Sequence, residues 1–147
     1  MMRAGRFFSG AAFAAVAFVA AQAGATELKV LSVDAMKPAL QALAPDFEKA
    51  SKDKLKIDYA NEAAVEKKIT DEEEYDVVII DADAVKKFSS AAKLAGGLIK
   101  PVAKHGGKTY EIATTNWTQH PLDCQSLIDF LTKPKAAEVF KAKGLAG

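Results

Sequence analysis

The chain has 147 residues, half of them hydrophobic, with 20 Lys plus Arg against 19 Asp plus Glu and a formal net charge of +1. A balance so close to neutral gives no reason to expect nucleic-acid or anionic-membrane binding. The single cysteine, Cys124, excludes an intramolecular disulfide, so stability must come from packing.

The first residues read as a leader. Arg3 and Arg6 precede an apolar run, Phe7 to Ala20, and "AQAGA" (Ala21 to Ala25) supplies small-residue cleavage motifs ending at Ala23 or Ala25. The apolar run is short for a membrane span. It is followed by no cysteine suited to a lipid anchor and contains no adjacent arginine pair. The expected organisation is a signal peptide over 1–25 and one α/β lobe over 26–147, exported to the periplasm with no stable membrane anchor. Both arginines leave with the leader. The mature chain then carries 18 lysines against 19 acidic residues, a net charge of −1, and lacks the side chain best suited to bidentate anion recognition.

"LKVLSV" (Leu28 to Val33) reads as a strand. Met36, Leu40, Leu43 and Phe47 follow at helical spacing. Asp34 is the expected N-cap, Pro38 falls in the first turn, and Pro45 is expected to kink or shorten the helix. "LKIDYA" (Leu55 to Ala60) alternates as a half-buried strand. A short helix follows over Glu62 to Ile69, and then the acidic turn Asp71 to Glu74. "YDVVIID" (Tyr75 to Asp81) has four consecutive β-favouring residues, the pattern of a central strand buried on both faces. The next helix carries Val85, Phe88, Ala92 and Ala95 on one face, with Gly96 and Gly97 as its stop.

Alternating strands and helices predict a single open, mainly parallel sheet flanked by helices. Residues 98–108 read as an irregular seam between an N-terminal part (26–97) and a C-terminal part (109–147). In the latter, "TYEIATT" (Thr109 to Thr115) is a strand. Pro121 opens a helix with Cys124, Leu127, Ile128 and Leu131 on its apolar face. Pro134 restarts a second helix, with Gly144 as its stop.

Chemistry-bearing motifs are sparse. No phosphate loop, dinucleotide fingerprint or nucleophile elbow is present. His120 and Cys124 are two residues where a zinc site needs three or four; Cys124 sits on an apolar face and reads as a buried, inert thiol. No cofactor is implied and no catalytic residue stands out. A third reading, a thiol- or metal-dependent enzyme, rests on that pair alone. The remaining candidate is positional. In open α/β sheets, ligands gather at the carboxyl ends of the strands, where helix starts present free N–H groups. Asp34 and Ala35 occupy that edge after strand one, Asn61 and Glu62 after strand two, and Asp81 and Ala82 after strand three. The same residues also read as ordinary helix caps.

"LKVLSVDAMKPALQALAPDFEKA", "YDVVIIDADAV" and "LIDFLTKPKAAEVFKAKGL" resemble the periplasmic molybdate-binding-like family of extracellular solute-binding proteins. The resemblance spans most of the mature chain and is most specific in its ending. It implies one lobe of a type-two periplasmic binding fold, made from the start and end of the family's chain, with the second lobe inserted between them absent. It also implies a small oxyanion such as molybdate as ligand and an ABC-type permease as partner. Where the family offers a serine after strand one, Ala35 stands; where it favours small hydroxyl residues after strand two, Asn61, Glu62 and Ala63 stand. Two functions follow: a solute-binding protein of an importer, or a non-transport interaction or remnant domain that keeps the lobe without its cleft, with a homodimer as one form.

Overall fold

The computed structural model describes residues 26–145; the leader reading over 1–25 lies outside them. Five strands form one sheet in the order β2-β1-β3-β5-β4. In chain order, β1 (Glu27–Val33) leads through a 3-10 turn (Asp34–Met36) into α1 (Lys37–Ser51). Then come β2 (Lys54–Ala60), α2 (Glu62–Thr70), β3 (Val77–Asp81) and α3 (Ala82–Ser90). The hairpin of β4 (Leu94–His105) and β5 (Lys108–Thr115) follows, then α4 (Pro121–Leu131) and α5 (Pro134–Ala142).

The expected parallel unit is β2-β1-β3, with Val33 opposite Ala60 and Ser32 opposite Ile79. β5 and β4 extend it antiparallel, so the sheet is mixed. All five residues of β3 are buried, as an apolar run covered on both faces requires. On one face α1 packs with α4 and α5; on the other, α2 and α3 lie against the sheet. Phe47 of α1 meets Phe130 of α4 edge-on, with ring centroids 5.4 Å apart. Leu40, Leu43, Leu127, Ile128 and Phe140 complete that layer. Burying side chains of this size stabilises by roughly 1.5–3 kcal/mol each before chain entropy is charged against it.

Four local expectations are corrected. The stretch 98–108 is not irregular: it is most of β4 and the turn into β5. Gly106 and Gly107 make that turn at φ +59° and +79°, a region that costs glycine little. Register shifts between Ala95 and Lys100, and between Pro101 and Ala103, break the two-residue alternation that would have marked a strand. Consequently α3 stops before Gly96 and Gly97. Its end is set by Ala92 at φ +60°, with the Lys93 N–H reaching back to the Phe88 carbonyl, a six-to-one closure built on alanine. Pro45 does not end α1, which runs on to Ser51. Residues 41 and 45 are both exposed, so water can satisfy the carbonyl that proline leaves without a donor. Finally, Asp34 is not a cap: it is the first residue of the 3-10 turn, and no side chain bonds to that turn's first N–H groups.

Candidate functional site

The parallel register brings the ends of β1, β2 and β3 to one edge. All six candidate residues therefore share that edge, but they are not equivalent there. The Asn61 side chain accepts the Ala64 N–H at 2.8 Å and caps α2. Asp81, 8% exposed, accepts the Ala84 N–H at 3.2 Å and caps α3. Both act as helix caps and satisfy N–H groups that would otherwise face a ligand. Among the described residues, the turn after β1, with Asp34 exposed and Ala35 half-buried, is the one of the three without a side-chain cap.

Because β5 runs antiparallel to β3, its first residues join the same edge, with Tyr110 opposite Asp81. Sequence reasoning missed them. Lys108 Nζ lies 2.7 Å from one Glu62 carboxylate oxygen, and the Tyr110 hydroxyl donates to the other at 2.7 Å. The Lys108 contact, then that of Tyr110, holds the Glu62 carboxyl below its ordinary range. Burial, reinforced by Glu62, pushes the Tyr110 phenol up to about 12. These donors stabilise the charged carboxylate and the neutral phenol together. A glycine pair before an alternating segment was the available signal for this hairpin, had "HGGK" been taken as its turn.

Beside this bridge is an open hollow of about 220 Å³ lined by Asp81, Ala82, Asp83, Gly107, Lys108 and Thr109. A larger hollow, about 470 Å³, lies at the opposite end of the sheet. Its lining includes Glu27, Glu72, Glu74 and Asp76 against Lys29 and His120. Carboxylates outnumber lysines in the smaller hollow too, with Asp81 and Asp83 against Lys108. Its advantage is its position at the strands' carboxyl ends, where ligands of such sheets gather.

The thiol is not activated. Cys124 is fully buried, with the Thr118 hydroxyl at 3.6 Å and the Asp76 carbonyl at 3.7 Å from its sulfur. Burial pushes it up to about 11, the opposite of what a nucleophile or metal ligand needs. His120 precedes α4, and among the described residues no group of three ligating side chains is placed to hold a metal ion.

The model of the bacterial extracellular solute-binding protein family matches residues 28–108, from β1 through the first residue of β5. The chain belongs to that family. Its members are binding proteins rather than enzymes. No curated protein matches the sequence. Among solved structures, the chain is similar to the periplasmic molybdate-binding protein of Azotobacter vinelandii, with a TM-score of 0.74 and 12% identity over 82% of this chain and 99% of that one. The tungstate ABC transporter of Geobacter sulfurreducens gives 0.63 and 13% over 79% and 98%. The sulfate-binding protein of Mycobacterium tuberculosis gives 0.68 and 7% over 82% and 86%. At such identities these likenesses establish the fold of the family and leave the ligand open. Among the described residues no helix is long and apolar enough to cross a membrane.

Proposed function

We propose that this chain is an exported periplasmic solute-binding protein of an ABC-type importer, reduced to one lobe over 26–147 after removal of a leader over 1–25. Its ligand class is a small oxyanion of the molybdate, tungstate or sulfate kind, and its partner a cognate permease. The observation that carries this reading is the family match over the strands whose carboxyl ends meet at Asp34, Asn61 and Asp81. There an oxyanion would meet the uncapped N–H groups of the turn at Asp34 and Ala35, flanked by Asn61, Glu62 and Ala82. Helix starts attract anions through those N–H groups and the aligned peptide dipoles.

A second reading has its own observation. The Glu62 carboxylate already engages Lys108 and Tyr110, and Asp34, Asp81 and Asp83 add negative charge nearby. An anion arriving at this edge meets an internal competitor. That favours a domain that has kept the lobe while losing its transport ligand, acting through protein contacts that include self-association.

Calorimetry on the exported protein with molybdate, tungstate and sulfate separates the two. The transport reading expects saturable heat from at least one of them. It also expects a melting shift equivalent to about 2.7 kcal/mol at one hundred times the dissociation constant. Silence from all three at millimolar concentration leaves the second reading standing.

A further inference from the structure

The sheet has two borders, β2 and β4, and they differ. β4 is broken by register shifts, whereas all seven residues of β2 pair with β1 without one. The Lys54 N–H turns toward β1, where it meets the Thr26 carbonyl at 2.8 Å. Peptide groups alternate sides along a strand, so Leu55, Ile57 and Tyr59 turn their N–H and C=O groups outward. The Leu55 N–H donates to Glu48 Oε2 of α1 at 2.8 Å. Beyond Ile57 and Tyr59 lies no further described strand. The side chains of Leu55, Ile57 and Tyr59 are half-buried against the core, while Lys54, Lys56 and Asp58 alternate with them, exposed on the opposite face.

An open border of this kind accepts another strand, and lysines along it usually discourage that. In β2 a carboxylate stands two residues from Lys56. Let a second copy run antiparallel to β2 about a twofold axis at Ile57. Ile57 then faces Ile57, and Leu55 faces Tyr59. Each such pair exchanges both N–H···O=C bonds, because these residues carry the outward groups. Lys56 stands opposite Asp58, twice, on the exposed face. The same axis acts on α1 across the sheet. Glu48 sits over Leu55, to which it bonds, and Lys37 Nζ lies 5.5 Å from the Tyr59 ring centroid. Ala44, between them on the same helical stripe, lines a narrow apolar hollow with Leu55 and Ile57. Setting Leu55 opposite Tyr59 of the second copy therefore brings Glu48 toward that copy's Lys37, and Lys37 toward its Glu48. One axis, chosen by the backbone alone, matches opposite charges on both faces of the sheet.

We propose that β2 is the docking surface for a second copy of this chain, joined by antiparallel β2–β2 pairing into one continuous sheet. In the lone copy Glu48 closes the border at Leu55. On docking, the Leu55 N–H passes to the Tyr59 carbonyl across the axis, and Glu48 turns to the opposing Lys37. Such a contact uses the same patch on both copies and closes at two. The inference rests on the self-association included in the second reading above. Its test is separate, because molecular mass decides this pairing and the oxyanion titration decides that reading.

The exported protein is followed by sedimentation equilibrium from micromolar to millimolar concentration, and the expected mass rises from one copy to two. Lys56→Asp sets carboxylate against carboxylate across the axis, and Asp58→Lys sets ammonium against ammonium. Like charges directly opposite are unfavourable, so each variant alone is expected to associate at least about tenfold more weakly. An equimolar mixture of the two restores opposite charges and is expected to recover the dimer. That recovery distinguishes the pairing from a simple loss of folding. Asp58→Lys removes the acceptor of the Tyr75 hydroxyl; should it fail to fold, Lys37→Glu carries the test on the other face, with the same weakening expected. A single-copy mass at millimolar concentration overturns the proposal and leaves the second reading with contacts to other proteins. A dimer indifferent to these variants lies on another surface and overturns it equally, as does a mixture of folded variants that fails to recover association.

Discussion

The two ends of the sheet handle charge in opposite ways. At the amino end, beneath surface carboxylates such as Glu72 and Glu73 that pair with lysines, Asp53 and Asp76 turn inward onto backbone N–H groups and one hydroxyl. Asp76 accepts the Lys29 N–H at 2.9 Å and the Thr118 hydroxyl at 2.7 Å, and Asp53 accepts the Thr26 N–H. At the carboxyl end, Glu62 reaches outward to two side chains on a hairpin 46 and 48 residues away. The first arrangement fixes strand to strand and strand to helix. The second joins a helix start to a turn across solvent, where an anion could exchange with it. The difference assigns stability to one end and adjustability to the other, as expected when ligands gather at the carboxyl ends of strands.

The sharpest way to break this contrast is Asp76→Ala. It strips the Lys29 N–H and the Thr118 hydroxyl of a charged acceptor together, and the expected cost is about 3 kcal/mol, read as a lower urea midpoint at unchanged slope. Glu62→Gln is expected to cost at most about 1 kcal/mol, because the Lys108 contact is solvent-exposed and screened. Raising the salt from 0.1 to 1 M should erase much of the Glu62 effect and leave the Asp76 effect in place. An equal response of both variants would dissolve the distinction.

Acid adds a third comparison. Glu62 is depressed in the folded protein, so its stabilisation is complete above the unfolded value of about 4.3 and lost as pH falls through the lower folded value. Asp53 is raised: its ionised form is disfavoured in the fold, and protonation on acidification relieves that cost. Denaturation midpoints between pH 6 and 3 should therefore fall less steeply in Glu62→Gln than in the unaltered protein, and more steeply in Asp53→Asn. Matching slopes would mean that neither carboxyl is perturbed in solution. The smallest expected effect belongs to Ala92→Gly at the amino end. Removing a side chain from a left-handed position should stabilise by about 0.5–1 kcal/mol, seen as a melting point several degrees higher. A lower melting point would place that residue outside the left-handed region.

The half of the sheet that was legible in the sequence is the half made of local units. Each of β1, β2 and β3 shows its own burial pattern, and each is followed by an apolar helical face. In the antiparallel half β5 was legible from the alternation of Thr109 to Thr115, but its partner was not, because β4 lacks alternation: two register shifts, Gly96, Gly97 and Pro101 scramble it. The site followed the same division. Asp34, Asn61 and Asp81 could be placed from sequence because they sit where strands end. Lys108 and Tyr110 could not, since their meeting with Glu62 depends on β5 returning beside β3. Caps, too, were only partly readable. Asn61 and Asp81 have an extended backbone that aims the side chain at the third N–H along, whereas the chain at Asp34 has already entered a 3-10 turn.

The tail also has a bearing on how this chain behaves among copies of itself. β4 is a border strand, and such borders invite a neighbouring molecule to add on. Here the Lys104 N–H is taken by the carbonyl of Leu145 at 2.7 Å, Pro101 has no N–H to offer, and the register shifts interrupt the rest. The last buried leucine, held in place by the left-handed Gly144, therefore works as a stopper on an otherwise adhesive rim. Shortening the chain by three residues would leave most of the core untouched and strip the Lys104 N–H of its partner on this border strand.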